Sequence, residues 1–276
     1  MNENQQLNAP RTDRAAILTE LKLQMNIGQV TGPMIQAHLD GMKVSGRTRR
    51  NHLRLITSLF RFAVKRKHLP KDSLEELEAV ERPEVTPTET LIFTPEELRE
   101  MLQSARPEPR PGLAIAAFCG LRTAEITRLD WAQVNLERRF VEVKAQNAKT
   151  ASRRLVPLCE AAVAWLTPGR VSEGRVAYFA EENKFCSAIV ESVNEARRES
   201  GAKEAFVWKK NALRHSFCSY RMALTHDAAK TALEAGNSPQ MIFKHYRELV
   251  TEDEAKAWFT VLPQGEPNIV AMPAAA

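Results

Sequence analysis

The sequence predicts a mainly α-helical protein with a small β-hairpin or sheet, built as an N-terminal helical domain and a larger C-terminal domain. Three observations carry this. A basic stripe and an apolar stripe share one helical period in the run from Lys43 to Lys71. A polar stretch with two prolines, "ERPEVTPTET", follows it and reads as a linker. Helical periodicity then resumes, interrupted by two short strand-like segments. The 276 residues suffice for one large domain or two ordinary ones, and 43% hydrophobic residues supply real cores.

Taken in order, residues 1–11 are expected to be disordered and residues 12–82 to form the helical domain. Within it "TGPMIQAHLDGM" reads as a short helix. "SGRTRRNHLRLITSLFRFAVKRKHLP" reads as a longer one ending before Pro70, with Leu53, Ile56, Phe60, Ala63 and Val64 on one face. Residues 83–93 are the linker. The second domain, 94–262, opens on a capping box: Thr94 as N-cap, Pro95 in the first turn, Glu97 three residues on. "LAIAAFCG" is a buried helix stopped at Gly120. "RFVEVKA" and "RRLVPL" are strands flanking the turn "QNAKTAS". Helices return with "AAVAWL", with Phe185, Ile189, Val193 and Ala196 at helical spacing, and from Asn211 onward. The tail, 263–276, is expected to be disordered.

Charge narrows the partner. The net charge is only +5, yet from Lys43 to Lys71 there are ten Lys/Arg and no Asp or Glu. Arg47, Arg50, Arg54, Arg61 and Lys65 form a stripe opposite the apolar face. A solvated face normally mixes signs, because i,i+4 pairs stabilise it; a stripe of one sign repels itself unless an anion neutralises it. A polyanion, nucleic acid above all, fits. No apolar run reaches the roughly 18 residues of a membrane span, and the N-terminus does not read as a signal peptide. The four cysteines lie far apart without a CxxC pair, which argues against a zinc site or disulfide framework and suits a reducing cytosol.

Three stretches carry candidate chemistry: "CGLRTAEITRLDW", "KAQNAKTASRRLVPL", and "NALRHSFCSYRMAL" with "ALEAGNSPQMIFKHYRELV". Together and in this order they resemble the catalytic domain of the tyrosine recombinases, the phage integrase family. The resemblance covers roughly residues 94–260, and the basic helical domain resembles that family's core-binding domain. It implies an enzyme that cuts and rejoins duplex DNA without metal, ATP or other cofactor, through a covalent 3′-phosphotyrosine. It further implies a homo-oligomer, a tetramer acting on two DNA sites clamped between the two domains, of bacterial or phage origin, cytoplasmic and nucleoid-associated. No arm-binding domain is expected before the helical domain.

By resemblance, Arg122 and Arg214 hold the phosphate, which suits a guanidinium because it is always charged and forks onto phosphate oxygens. Lys149, at the hairpin tip, protonates the leaving 5′-oxygen. Tyr246 is the nucleophile, and its sequence neighbours Lys244, His245 and Arg247 are expected to lower the cost of its phenolate. Glu125, His215 and His245 support the site.

Each residue also has a plainer reading. Arg122 suits a helix cap or a pair with Glu125, Lys149 a solvated turn, and Arg214 a surface charge. Leu213, Phe217, Tyr220 and Leu224 share a core-facing stripe that makes Tyr220 a packing residue and sets Arg214 off the core. Tyr178 lies in no family box.

Two departures stand out. Asn211 occupies the position where the family commonly carries histidine, three residues before the second arginine. Asn237 occupies the "AGNS" position where histidine or tryptophan is common. Asparagine donates a hydrogen bond but exchanges no proton near neutral pH. A second reading is therefore a catalytically impaired DNA-binding accessory protein derived from a recombinase; a type IB topoisomerase is a third. The final segment, "TEDEAKAWF", reads as an amphipathic helix expected to dock on a neighbouring subunit.

Overall fold

The computed structural model describes residues 26–86, 89–144, 153–246 and 249–263. The chain divides into two compact units, Met1–Thr88 and Glu89–Ala276. The ends expected to be disordered, apart from Pro263, and the hairpin tip with Lys149 lie outside the described residues, as does Arg247.

In the first unit, α1 (Gly32–Gly41) packs on α2 (Gly46–Lys65), and a short turn, Lys71–Leu74, leads into α3 (Glu75–Glu78). Ser45 caps α2 by accepting the Thr48 N–H. The apolar stripe of α2 buries Ile56, Phe60 and Ala63 against Ile35, Leu39, Leu69 and Val80. His52 is buried on the same face, a position the apolar pattern passes over. Phe62, by contrast, is exposed beneath the guanidinium of Arg66.

The second unit opens on α4 (Pro95–Ser104), whose box is complete: Thr94 Oγ1 accepts the Glu97 N–H at 3.2 Å and Glu97 Oε2 accepts the Thr94 N–H at 2.8 Å. Then come α5 (Arg110–Cys119), buried along its length from Pro111, and the short α6 (Thr123–Ile126). Strands β1 (Val134–Asn135), β2 (Phe140–Val143) and β3 (Arg154–Pro157) form an antiparallel sheet in that order, with Val141 opposite Val156 and Val143 opposite Arg154. Helices α7 (Glu160–Leu166) and α8 (Glu182–Glu199) follow. The last four are α9 (Ala212–Thr225), α10 (Ala228–Ala235), α11 (Pro239–Tyr246) and α12 (Glu252–Phe259).

Helix α9 is the hub, packed against α5, α10, α11 and α12. Its Leu213, Phe217 and Tyr220 are buried as the stripe predicts. Tyr220 donates its hydroxyl to the Phe93 carbonyl at 2.9 Å and stacks on Trp258.

Helix α12 packs on its own chain. Trp258, Ala255 and Val261 are fully buried in the chain's own core, where the Trp258 indole N–H donates to the Ala117 carbonyl at 3.1 Å and the Trp165 indole to the Val261 carbonyl at 2.7 Å. Ala255 and Trp258 of the apolar face thus pack within the chain's own core, while Phe259 is partly buried against it.

Candidate active site

The site grows from two helix stops. Helix α5 ends at Gly120, whose φ of +61° lies in the left-handed region. A Cβ there would come 2.1 Å from the Phe217 ring, so only glycine lets α9 approach. The chain turns out through Leu121 into Arg122, the N-cap of α6. Helix α10 ends likewise at Gly236, φ +62°, where a Cβ would come 2.9 Å from the Arg154 guanidinium.

Arg122 bridges the two stops. Its Nη2 donates to the Gly236 carbonyl at 2.6 Å, while its Nη1 and backbone N–H donate to the Glu125 carboxylate at 3.1 and 2.9 Å. The plain reading of Arg122, a pair with Glu125, is thus present, and the same bonds hold the guanidinium in place. Glu125 is 2% exposed and also receives Arg154, whose Nη2 lies 2.7 Å away and whose Nε donates to the Glu234 carbonyl at 3.0 Å. Burial alone would raise the Glu125 carboxyl. The bonds from Arg154 and the Arg122 backbone outweigh it and hold the group below the usual carboxylate range.

Sequence reasoning missed Arg154. The available signal is the period of two in "RLVP": if Val156 faces the core, so does residue 154, and a buried arginine requires an anion.

Arg214 sits in the first turn of α9. Its Nη1 donates to the Gly120 carbonyl at 2.6 Å, while Nη2 is buried and has no hydrogen-bond partner among the described residues. It is off the hydrophobic core, as expected, and half-buried rather than a solvated surface charge. Burial and then the charge of Arg122 lower its pKa.

Tyr246 closes α11 and is 6% exposed, packed with Phe217, Cys218, Ala232, Ala235 and Ile242. Its hydroxyl lies 2.8 Å from His215 Nδ1, with the rings 5.6 Å apart. The phenol is pushed up to about 12: burial and Cys218 raise it, and Arg214 and Arg122 oppose them. This corrects the sequence reading. Lys244 and His245 are exposed, the cations among the described residues that act on the phenol are the arginines distant in sequence, and desolvation outweighs them. His215 is lowered by burial, then by Arg214 and His245.

The two asparagines sit at helix entries. Asn211 is the exposed N-cap of α9 with φ +59°, a conformation in which asparagine and histidine are both enriched, and its side chain makes no capping bond. Its carbonyl accepts the His215 N–H at 3.0 Å. Asn237 Oδ1 accepts the Ser238 N–H at 3.0 Å. The cationic positions of α2, Arg47, Arg50, Arg54, Arg61 and Lys65, line the first unit away from its buried core. There Arg50, Arg54 and Arg61 join Arg82 around a groove of about 740 Å3.

An all-helical hub, a three-stranded sheet supplying one buried arginine, and a terminal tyrosine facing two more arginines define a catalytic domain of the tyrosine-recombinase fold. Comparison with known proteins agrees. Residues 92–226 match the model of the phage integrase family, which supports the resemblance to the tyrosine recombinases. The Tn1549 transposon integrase, solved with a circular intermediate DNA, superposes with a TM-score of 0.63 at 17% identity, covering 88% of this chain and 90% of that one. A lambda integrase dimer bound to a COC′ core site superposes at 0.62 and 15% identity, covering 86% and 87%. No curated protein sequence matches the chain. Among the described residues no helix is long and apolar enough to cross a membrane.

Proposed function

We propose that this protein is a site-specific recombinase that cuts and rejoins duplex DNA through a 3′-phosphotyrosine at Tyr246, with no metal or cofactor. The observation that carries the reading is the buried Nη2 of Arg214, without a hydrogen-bond partner among the described residues, beside a tyrosine on which both Arg214 and Arg122 act electrostatically. A donor left unpaired in a protein interior costs about 1–3 kcal/mol or more, and a phosphate oxygen would satisfy it. Arg122 and Arg214 then stabilise the charge that builds on the non-bridging oxygens. Lys149 protonates the leaving 5′-oxygen, Asn237 donates to the phosphate, and Asn211 shapes the entry to α9. Glu125 positions Arg122, and His245 lies next to the nucleophile.

Double-stranded DNA is the partner. The Tn1549 and lambda integrases of like fold were solved on DNA, the latter as a dimer. Residues 12–82 form the core-binding domain, with Arg47, Arg50, Arg54, Arg61 and Lys65 on backbone phosphates, and residues 94–262 the catalytic domain. The active assembly is a tetramer of like subunits on two sites.

A second reading has one specific observation behind it: Asn211, at the position of a proton-exchanging histidine, is exposed and its side chain makes no capping bond. That would suit an accessory DNA-binding protein without catalysis. A duplex nicked beside the scissile phosphate separates the two, since strand loss traps any covalent complex. The recombinase reading expects a denaturation-resistant adduct in the wild type and none in Tyr246→Phe at equal DNA occupancy. Binding without adduct in the wild type would reject it.

A further inference from the structure

The hydroxyl of Tyr246 already has a partner. His215 Nδ1, one residue along α9 from Arg214, lies 2.8 Å from it, and the two rings are tilted by 32°. Resting on the recombinase reading, we propose that His215 is the general base that takes the Tyr246 proton, standing in for the histidine replaced by Asn211. Asn211 is at the right place in sequence but has no proton to exchange, whereas an imidazole nitrogen on the reacting oxygen has both reach and chemistry.

The step needs one group besides His215, an acid that protonates the leaving oxygen. Nδ1 accepts the phenolic proton while Nε2 carries the other, so an imidazolium forms. The Tyr246 oxygen bonds to phosphorus, the P–O5′ bond breaks, and the 5′-oxygen leaves with a proton from a separate donor. On rejoining, the 5′-hydroxyl gives its proton back to that separate donor and attacks phosphorus, the bond from phosphorus to the Tyr246 oxygen breaks, and the imidazolium returns its proton to the phenolate.

The surroundings make this base conditional on substrate. Among the described residues, the charged and titratable groups acting on the pair are Arg214 and Cys218 on α9, His245 on α11, and Arg122 at the start of α6. Burial, then Arg214 and His245, disfavour an imidazolium. A phosphate seated on Arg214 adds a negative charge that offsets this, so His215 becomes more basic when DNA is bound. Burial and Cys218 hold the phenol proton more firmly than usual, a cost that a base on the reacting oxygen offsets as attack proceeds.

The test is single-turnover adduct formation on the nicked duplex, normalised to DNA bound, across pH. The wild type is expected to lose rate as pH falls through the imidazole titration. His215→Ala and His215→Gln are both expected to lose about 10²–10⁴-fold together with that pH step, and added imidazole is expected to restore part of the His215→Ala rate. His215→Gln within a few-fold of the wild type, with the pH step retained, would overturn the assignment while leaving the recombinase reading intact. A wild type that binds but forms no adduct would overturn both. If the variants fail to fold, nitrogen-15 NMR of the free wild type decides the direction of the bond. An unprotonated Nδ1 supports the base, and an Nδ1–H donating to the phenol overturns it.

Discussion

Arg154 on β3 and Glu125 on α6 form an ion pair at 2.7 Å, with side chains only 5% and 2% exposed. Glu125 spends its remaining valence on Arg122, so one buried carboxylate fixes a strand, a helix and a candidate phosphate-binding guanidinium together. Replacing Glu125 by glutamine leaves Arg154 buried without its counter-charge, and breaking such a pair costs about 3–5 kcal/mol. Urea unfolding of Glu125→Gln against the wild type measures this. The folded carboxyl lies below its ordinary value of 4.5. Its contribution is therefore present above that pH and lost as pH falls below it, and the gap between wild type and variant should narrow on acidification.

Gly120 is the second structural commitment. Gly120→Ala meets both a left-handed backbone and the Phe217 ring 2.1 Å from the new Cβ. Overpacking of that kind costs about 1–3 kcal/mol. It should lower the thermal midpoint and, by moving the Gly120 carbonyl, weaken adduct formation more than DNA binding.

On α2, the one-signed stripe is expected to hold phosphates rather than read bases. Arg50→Ala with Arg54→Ala should weaken binding to any duplex. The slope of log K against log salt should become shallower by about 0.9 for each phosphate that the variant no longer neutralises. Filter binding across a salt series on target and unrelated DNA checks it. A weakening confined to one sequence would show base readout instead.

Trp258 distinguishes two uses of the last helix. Because its indole is buried in the chain's own core, Trp258→Ala should destabilise the DNA-free monomer by about 3–5 kcal/mol. A variant that melts like the wild type, yet assembles poorly on DNA, would return α12 to a neighbouring subunit.

Periodicity and capping make most of the helices legible in the sequence. The Thr94–Glu97 box, the Ile56–Phe60–Ala63 stripe and the Leu213–Phe217–Tyr220 stripe all depend on neighbours within a turn or two. Three stretches in order resemble the family. What lies beyond reach is the pairing of distant elements. Arg154 with Glu125, His215 with Tyr246, and Trp258 with Ala117 join residues 29, 31 and 141 positions apart. The protonation of Tyr246 escapes the sequence for the same reason. Sequence neighbours are visible as cations, whereas desolvation depends on which residues fold over the ring.

Peptide mapping of the covalent complex tests the central claim most directly. After trapping on the nicked duplex and digestion, the account predicts a nucleotide-bearing peptide that contains Tyr246, with the mass of a phosphotyrosine ester. A modified peptide containing Tyr178 or Tyr220 instead, or DNA bound at saturation with no modified tyrosine, would contradict it.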